Sequence, residues 1–186
     1  MTCIIGIKHN NEIYIGGDSL ASDGNGFCSI YNEPKVFHKD KFLFGYSGSF
    51  RVAQILKYNF DIPYHHPDLS DMQYLVGVFI PSLQIILESN NSVKNTDNGQ
   101  EMADDCRLIF SYNNSLYCLH SDYQIEENED NIISIGMGDT IALGAMYALH
   151  DKNTEARIIR SLEIVEKLNS SVRAPFIVLK ASLTNI

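Results

Sequence analysis

Two asparagine pairs constrain the fold of this chain more than any other feature. Asn10-Asn11 separates CIIGIK from EIYIGG, and Asn113-Asn114 separates CRLIFSY from SLYCL. Asparagine tolerates the positive φ that a two-residue hairpin link demands, so each pair marks a hairpin of short strands. The chain thus opens in one hairpin and returns to another past its midpoint. A third is expected from Lys35 to His38 and Phe42 to Ser47 about Lys39-Asp40. Shorter strands are expected at Tyr123 to Ile125, Ile132 to Ile135 and Phe176 to Lys180.

Between the strand blocks the apolar period changes. Val52, Ile55, Leu56 and Phe60 are spaced for a helix over Phe50 to Phe60, and Leu75, Val78, Phe79, Leu83, Ile86 and Leu87 for a second over Asp71 to Ser89. Ser70 is placed to cap the second, and Pro81 inside it is expected to kink or split it, because proline removes a backbone donor. Two more helices are expected at Asp139 to His150 and Thr154 to Leu168. The polar stretches ASDGNGFCS and Asn90 to Asp105 read as exposed loops. The order is therefore strands, two helices, strands, two helices and a strand. Each strand block must bury one face and each helix pair its apolar stripe, so the expectation is α+β: a four-layer αββα sandwich forming one domain over residues 1–186.

The hydrophobic share of 45% against 20% charged suits a chain that folds, and 186 residues can bury a substantial core. A net charge of −9, from 23 acidic and 14 basic residues with no basic stripe, argues against nucleic-acid binding. No apolar run is expected to serve as a signal-peptide core or to approach a membrane span, so a cytoplasmic location is expected. The four cysteines contain no C-x-x-C pair, and three lie in apolar, strand-like contexts, which reads as reduced core thiols. His65-His66, between Pro63 and Pro67, reads as part of a solvated loop, not a metal site.

Chemistry concentrates at strand ends. Methionine before a small residue is usually trimmed, and trimming here would leave Thr2 with a hydroxyl and a free α-amine on one residue. That amine, with an unperturbed pKa of about 7.7–8.0, can take the hydroxyl proton, so no histidine is required. Such a nucleophile also needs a cation, a carboxylate to orient it, and a backbone N–H for the oxyanion. Asp18 ends the second strand, Lys35 opens the third, and Gly48 follows the strand ending GYSG. Cys3 is the weaker candidate nucleophile, because alternation sends its side chain to the opposite face of the strand.

The stretches MTCIIGIKHNNEIYIGGDS, PKVF, FGYSGSFRVAQIL and IGMGDTIALGAMYAL resemble the proteasome β-subunit family, especially its bacterial and phage-borne members and the bacterial peptidase that partners an ATP-dependent unfoldase. The resemblance runs from Thr2 to about Val178. It implies the N-terminal nucleophile hydrolase fold and places the family's nucleophile, aspartate, lysine and oxyanion glycine on Thr2, Asp18, Lys35 and Gly48. It further implies peptide or unfolded-protein substrates, a homo-oligomeric ring, an ATP-dependent unfoldase partner and no cofactor. Two departures stand beside it. Where the peptidases carry a serine that helps hold the threonine's amine, this chain has Met137, which neither donates nor usefully accepts. Near the C-terminus, where active members supply an aspartate and a serine, NSSVRAPF offers Ser170 and Ser171, with Arg173 close by.

Overall fold

The hairpin links and the alternating strands build two antiparallel sheets packed face to face. The computed structural model describes residues 2–22, 27–97, 99–150 and 153–181. In the first sheet, β1 (Cys3–His9) lies between β12 (Ile132–Gly136) and β2 (Glu12–Gly17), with β13 (Ile177–Lys180) on the far side of β2. The second sheet runs β11 (Ile125–Glu127), β10 (Ser115–Leu119), β9 (Arg107–Tyr112), β6 (Phe42–Ser47) and β5 (Val36–Lys39). Asn10 and Asn11 adopt φ 53° and 61°, and Asn113 and Asn114 adopt 43° and 63°, as mirror-image two-residue turns require.

Alternation along β1 sorts its side chains between two cores. Ile4 packs between the sheets with Ile15, Leu43, Ile109 and Ile135. Cys3, Ile5 and Ile7 face the other way, against α4 (Asp139–Ala148) and α5 (Thr154–Leu168). The outer face of the second sheet carries Phe42, Phe44, Phe110 and Tyr112 beneath α1 (Phe50–Tyr58), α2 (Asp71–Tyr74) and α3 (Ile80–Ser89). Phe42 stacks on Phe44, Phe79 and Tyr112 at centroid distances of 5.2, 5.1 and 4.5 Å. Burial of each large apolar side chain contributes roughly 1.5–3 kcal/mol, so these three clusters supply most of the drive to fold. The result is the four-layer αββα sandwich expected from the sequence. The sheets approach closely at Gly45, where a Cβ would lie 2.6 Å from the Ile4 Cγ2 and 2.8 Å from the Ile15 Cγ2.

Several local expectations need correction. Pro81 does not split its helix: a π-helical turn over Leu75–Phe79 joins α2 to α3, and the Ile80 N–H bonds back to the Leu75 carbonyl. The wider turn accommodates the ring and the missing donor. Ser70 does cap α2, in a reciprocal pair with Gln73. The helix Asp71–Ser89, mean hydropathy 1.3, is long and apolar enough by length and composition to cross a membrane, contrary to the sequence reading. Gln73, Gly77, Pro81 and Gln84 break up its apolar run, which hid that property.

The stretch from Asn90 to Asp105 is no simple loop. It holds the hairpin β7 (Val93–Thr96) and β8 (Gly99–Met102), then a short 3-10 turn (Ala103–Asp105), and Met102 is buried in the aromatic core. The segment 21–29 likewise contributes β3 (Leu20–Ser22) and β4 (Cys28–Ile30), with 23–26 outside the described residues. The loop around His65-His66 is solvated as expected, with His66 exposed, but His65 itself is half-buried. Its ring stacks on Tyr74 at 4.3 Å, with Nδ1 2.5 Å from the Tyr112 hydroxyl and Nε2 2.9 Å from the Leu69 carbonyl.

Candidate active site

Pairing of β1 with β2 sets Ile4 opposite Gly17, so Asp18, the first residue past β2, arrives beside the start of β1. Its N–H donates to the Cys3 carbonyl at 3.3 Å. Its carboxylate is then held by donors on both oxygens. Oδ1 accepts from the Cys3 N–H and the Lys35 Nζ, each at 3.0 Å, and Oδ2 from the Leu20 N–H at 3.0 Å and the Arg173 N–H at 3.4 Å. Four donors converging on one carboxylate fix its orientation.

Lys35 enters from the other sheet. Just before β5, its carbonyl accepts from the Tyr46 N–H at 3.2 Å, which ties it to the end of β6. Its side chain crosses the gap between the sheets, and Nζ donates to the Thr2 Oγ1 and to the Asp18 Oδ1 at 3.0 Å each. The Lys35 and Asp18 side chains are completely buried, and Thr2 is only 3% exposed. Burial lowers the Lys35 pKa from its ordinary value, and the Asp18 charge opposes that shift. The ammonium thus sits against the Thr2 hydroxyl, where a cation stabilises a developing alkoxide.

Gly48 occupies the same end of the sandwich, exposed between buried Ser47 and Ser49. Its φ is +94°, and a Cβ would lie 2.7 Å from the Asp104 carbonyl oxygen and 2.8 Å from the Cys106 Cα. Only glycine fits that turn. Two residues on, the Phe50 ring centroid lies 6.0 Å from the Lys35 Nζ.

The turn Gly136-Met137-Gly138 closes the opposite side. Gly136 pairs with Cys3, and the Gly138 N–H reaches the Thr2 carbonyl at 3.4 Å. Met137 itself is 64% exposed, so it leaves the turn to be held by its backbone. Sequence reasoning missed the residue that holds it. Asn169, at the end of α5, donates from Nδ2 to the Met137 carbonyl at 2.8 Å, and its Oδ1 accepts from the Ser171 N–H at 2.9 Å. One amide therefore ties the turn beside Thr2 to the segment after α5 that reaches Asp18. An asparagine directly after a long amphipathic helix was the available signal. Of the two serines read as candidates, Ser171 is buried and Ser170 exposed, while Arg173 contributes its backbone N–H to Asp18.

Cys3 lies on the helix side of β1, with its thiol 4.0 Å from the Ser134 Oγ, and burial pushes it up to about 12. Cys106 and Cys118 are buried and raised to about 12 by the same cause, while Cys28 is exposed. Iodoacetamide at pH 8 is therefore expected to add one carbamidomethyl group to the native protein, on Cys28, and four after denaturation. Peptide mapping reads this directly, and native labelling of Cys3 would contradict the placement of β1.

No protein-family model matches the sequence, and no curated protein matches it either. Solved structures do. Thiobacillus denitrificans BPH in complex with epoxomicin superposes with a TM-score of 0.80 at 17% identity, over 98% of this chain and 99% of that one. The fold is that of the proteasome-like N-terminal nucleophile hydrolases. Eukaryotic HslV from Trypanosoma brucei shares this proteasome-like fold at a TM-score of 0.66 and 17% identity, covering 96% and 98% of the two chains. The helical assembly of the Anbu complex from Pseudomonas aeruginosa shares it at 0.65 and 12%, covering 96% and 80%. In the proteasome-like frame, the end of the sandwich that joins Thr2, Asp18 and Lys35 draws on β1, β2 and β5, strands of both sheets.

Proposed function

We propose that this chain is a threonine-type hydrolase of amide bonds in peptides or unfolded proteins, working in the cytoplasm once Met1, which lies outside the described residues, has been removed. The observation that carries the reading is the placement of one buried ammonium 3.0 Å from both the Thr2 Oγ1 and the Asp18 Oδ1. The freed Thr2 amine takes the hydroxyl proton, and Oγ1 attacks the carbonyl carbon of the scissile amide. The oxyanion forms at the Gly48 N–H. Collapse breaks the C–N bond as the amine's proton passes to the leaving nitrogen, and an ester on Thr2 remains. Water then attacks the ester carbonyl as the amine takes its proton; the C–O bond to Thr2 breaks, the amine returns that proton to Oγ1, and the acid product leaves. Lys35 stays charged beside the oxygen throughout, with Asp18 fixing its position.

A second reading has its own support. Met137 offers no group to hold the amine, and an ion pair such as Lys35–Asp18 also serves as a buried structural contact. On that reading the chain is a catalytically inactive, partner-binding or structural subunit of the same fold. Self-assembly belongs to both readings. A homo-oligomeric ring enclosing the sites, fed by an ATP-dependent unfoldase, follows from the family resemblance. The helical Anbu assembly supports association through repeated heterologous contacts, which close into rings or extend as helices according to the rotation between subunits.

The deciding experiment is the intact mass of protein purified from cells, before and after incubation with an epoxyketone. The expected result is a chain lacking Met1 that gains one adduct on Thr2, with none in Thr2→Ala. A retained Met1 and no adduct would leave the scaffold reading.

A further inference from the structure

We propose that Cys106 is a positioning residue for the oxyanion turn: its buried backbone and thiol fix the Gly48–Ser49 peptide in the orientation that presents the Gly48 N–H to the attacked carbonyl. This rests on the reading of Thr2 as nucleophile and Gly48 as oxyanion donor. The place of Cys106 follows from strand register. β6 and β9 pair antiparallel from Leu43 opposite Ser111 to Ser47 opposite Arg107. One step further the same register sets Gly48 against Cys106, at the point where a φ of +94° turns the chain away. The approach is close: a Cβ on Gly48 would lie 2.8 Å from the Cys106 Cα and 3.1 Å from its N. Burial pushes the Cys106 thiol up to about 12, and a hydrogen bond from the Ser49 backbone works the other way, so the sulfur faces that backbone as an acceptor. Cys106 therefore meets both residues of the Gly48–Ser49 peptide.

Cys106 is itself firmly held. It is completely buried, as is Met102, and both belong to the aromatic core beneath the helices. The Met102 N–H donates to the Ser121 carbonyl at 2.8 Å, the Ala103 N–H to the Ser92 carbonyl at 3.0 Å, and the Cys106 N–H to the Ala103 carbonyl at 3.2 Å. Between these anchors Asp104 and Asp105 adopt φ 56° and 48°, and the Asp104 carbonyl oxygen lies 2.7 Å from a Cβ placed on Gly48. Two consecutive non-glycine residues in the left-handed region persist only where their surroundings over-determine them, and here they press backbone against the oxyanion turn. An oxyanion donor works by being in place before charge develops. Without the thiol, the Ser49 N–H loses its acceptor and a void opens behind Gly48, so the peptide is free to rock.

The test follows labelling of Thr2 by intact mass with two capped peptide probes of one sequence. An epoxyketone forms an oxyanion when Oγ1 adds to its ketone carbon. A vinyl sulfone does not: Oγ1 bonds to its β-carbon, the C=C pair moves to the α-carbon, and the proton taken by the amine passes there. Cys106→Ala is expected to lower the maximal epoxyketone rate by about tenfold, part of the loss that follows removal of an oxyanion donor, with the half-saturating probe concentration and the vinyl sulfone rate unchanged. Cys106→Ser, which restores an acceptor, is expected to recover most of that rate. Cys118→Ala removes a thiol buried between the sheets and is expected to lower the urea midpoint while leaving both rates alone. A parent-like epoxyketone rate in Cys106→Ala, or equal losses with both probes, would overturn the assignment while leaving Thr2 as the nucleophile. No adduct on the parent chain with either probe would overturn the nucleophile reading, and amide hydrogen exchange over Ser47–Phe50 then judges the contact itself. Faster exchange confined to that segment in Cys106→Ala and reversed in Cys106→Ser supports the hold of Cys106 on the turn, and unchanged exchange overturns it.

Discussion

Replacing Asp18 with alanine is expected to lower the unfolding free energy by about 3–5 kcal/mol, the usual cost of leaving a buried charge without its partner. Both side chains of the pair are fully buried, so solvent cannot replace the lost carboxylate. The same change strips acceptors from the N–H groups of Cys3, Leu20 and Arg173. Lys35→Met is expected to cost less, about 1–3 kcal/mol, because Asp18 keeps those three backbone donors. The pH dependence separates the lost charge from the lost hydrogen bonds. Burial already holds the Lys35 pKa below its ordinary value and Asp18 opposes that shift, so removing Asp18 lowers the folded-state pKa further. Between that value and the unfolded value the unfolded chain binds more protons, so the variant gains stability as pH rises. Urea midpoints should therefore show a smaller Asp18→Ala deficit at pH 9.5 than at pH 7. An equal deficit at both would mean that the lost hydrogen bonds, not the stranded ammonium, dominate.

That Thr2, Asp18 and Lys35 come together was legible because each stands at a strand end that local pattern already defined. Thr2 precedes an apolar run, Asp18 follows one, Lys35 sits between Pro34 and Val36, and strand pairing alone brings the first two together. The layers were legible for a similar reason: periods of two and of about three and a half alternate cleanly, and positive φ at the Asn pairs is a local matter.

What escaped is what depends on distant partners. The hairpin β7–β8 is polar throughout apart from Val93 and Met102, and Met102 is pinned by its N–H to the Ser121 carbonyl, a residue beyond the next two strands. Asn169 matters because the Met137 carbonyl lies within 2.8 Å of it, a neighbour 32 positions away that no spacing rule reports. Ser170 and Ser171 look alike in sequence, and only the packing of the segment after α5 buries one and exposes the other.

Gly136→Ala is expected to slow epoxyketone labelling of Thr2 by about a hundredfold, the scale that follows from a displacement of about 1 Å at a reacting atom. Gly136 has φ +98°, and a Cβ there would overlap the Thr2 carbonyl oxygen and lie 2.8 Å from its carbonyl carbon. Those neighbours are backbone, not the end of a flexible side chain, so Thr2 must move. The hydroxyl then leaves its 3.0 Å contact with the Lys35 Nζ while Lys35 stays anchored to Asp18. Backbone strain alone predicts something different, a stability loss of about 1–3 kcal/mol with little effect on labelling. Gly99→Ala supplies that comparison: φ there is +127°, and among the described residues nothing beyond its chain neighbours lies within 4 Å of a Cβ placed there. Labelling rates by intact mass, read beside urea midpoints, distinguish the two. If Gly136→Ala labels as fast as the parent chain and only its midpoint falls, the Gly136 turn supports the fold but does not position the nucleophile. A rate loss confined to Gly136→Ala, with Gly99→Ala unaffected, assigns the turn to holding Thr2 against Lys35, a task that in this chain falls to backbone and Asn169 because Met137 offers no polar side chain.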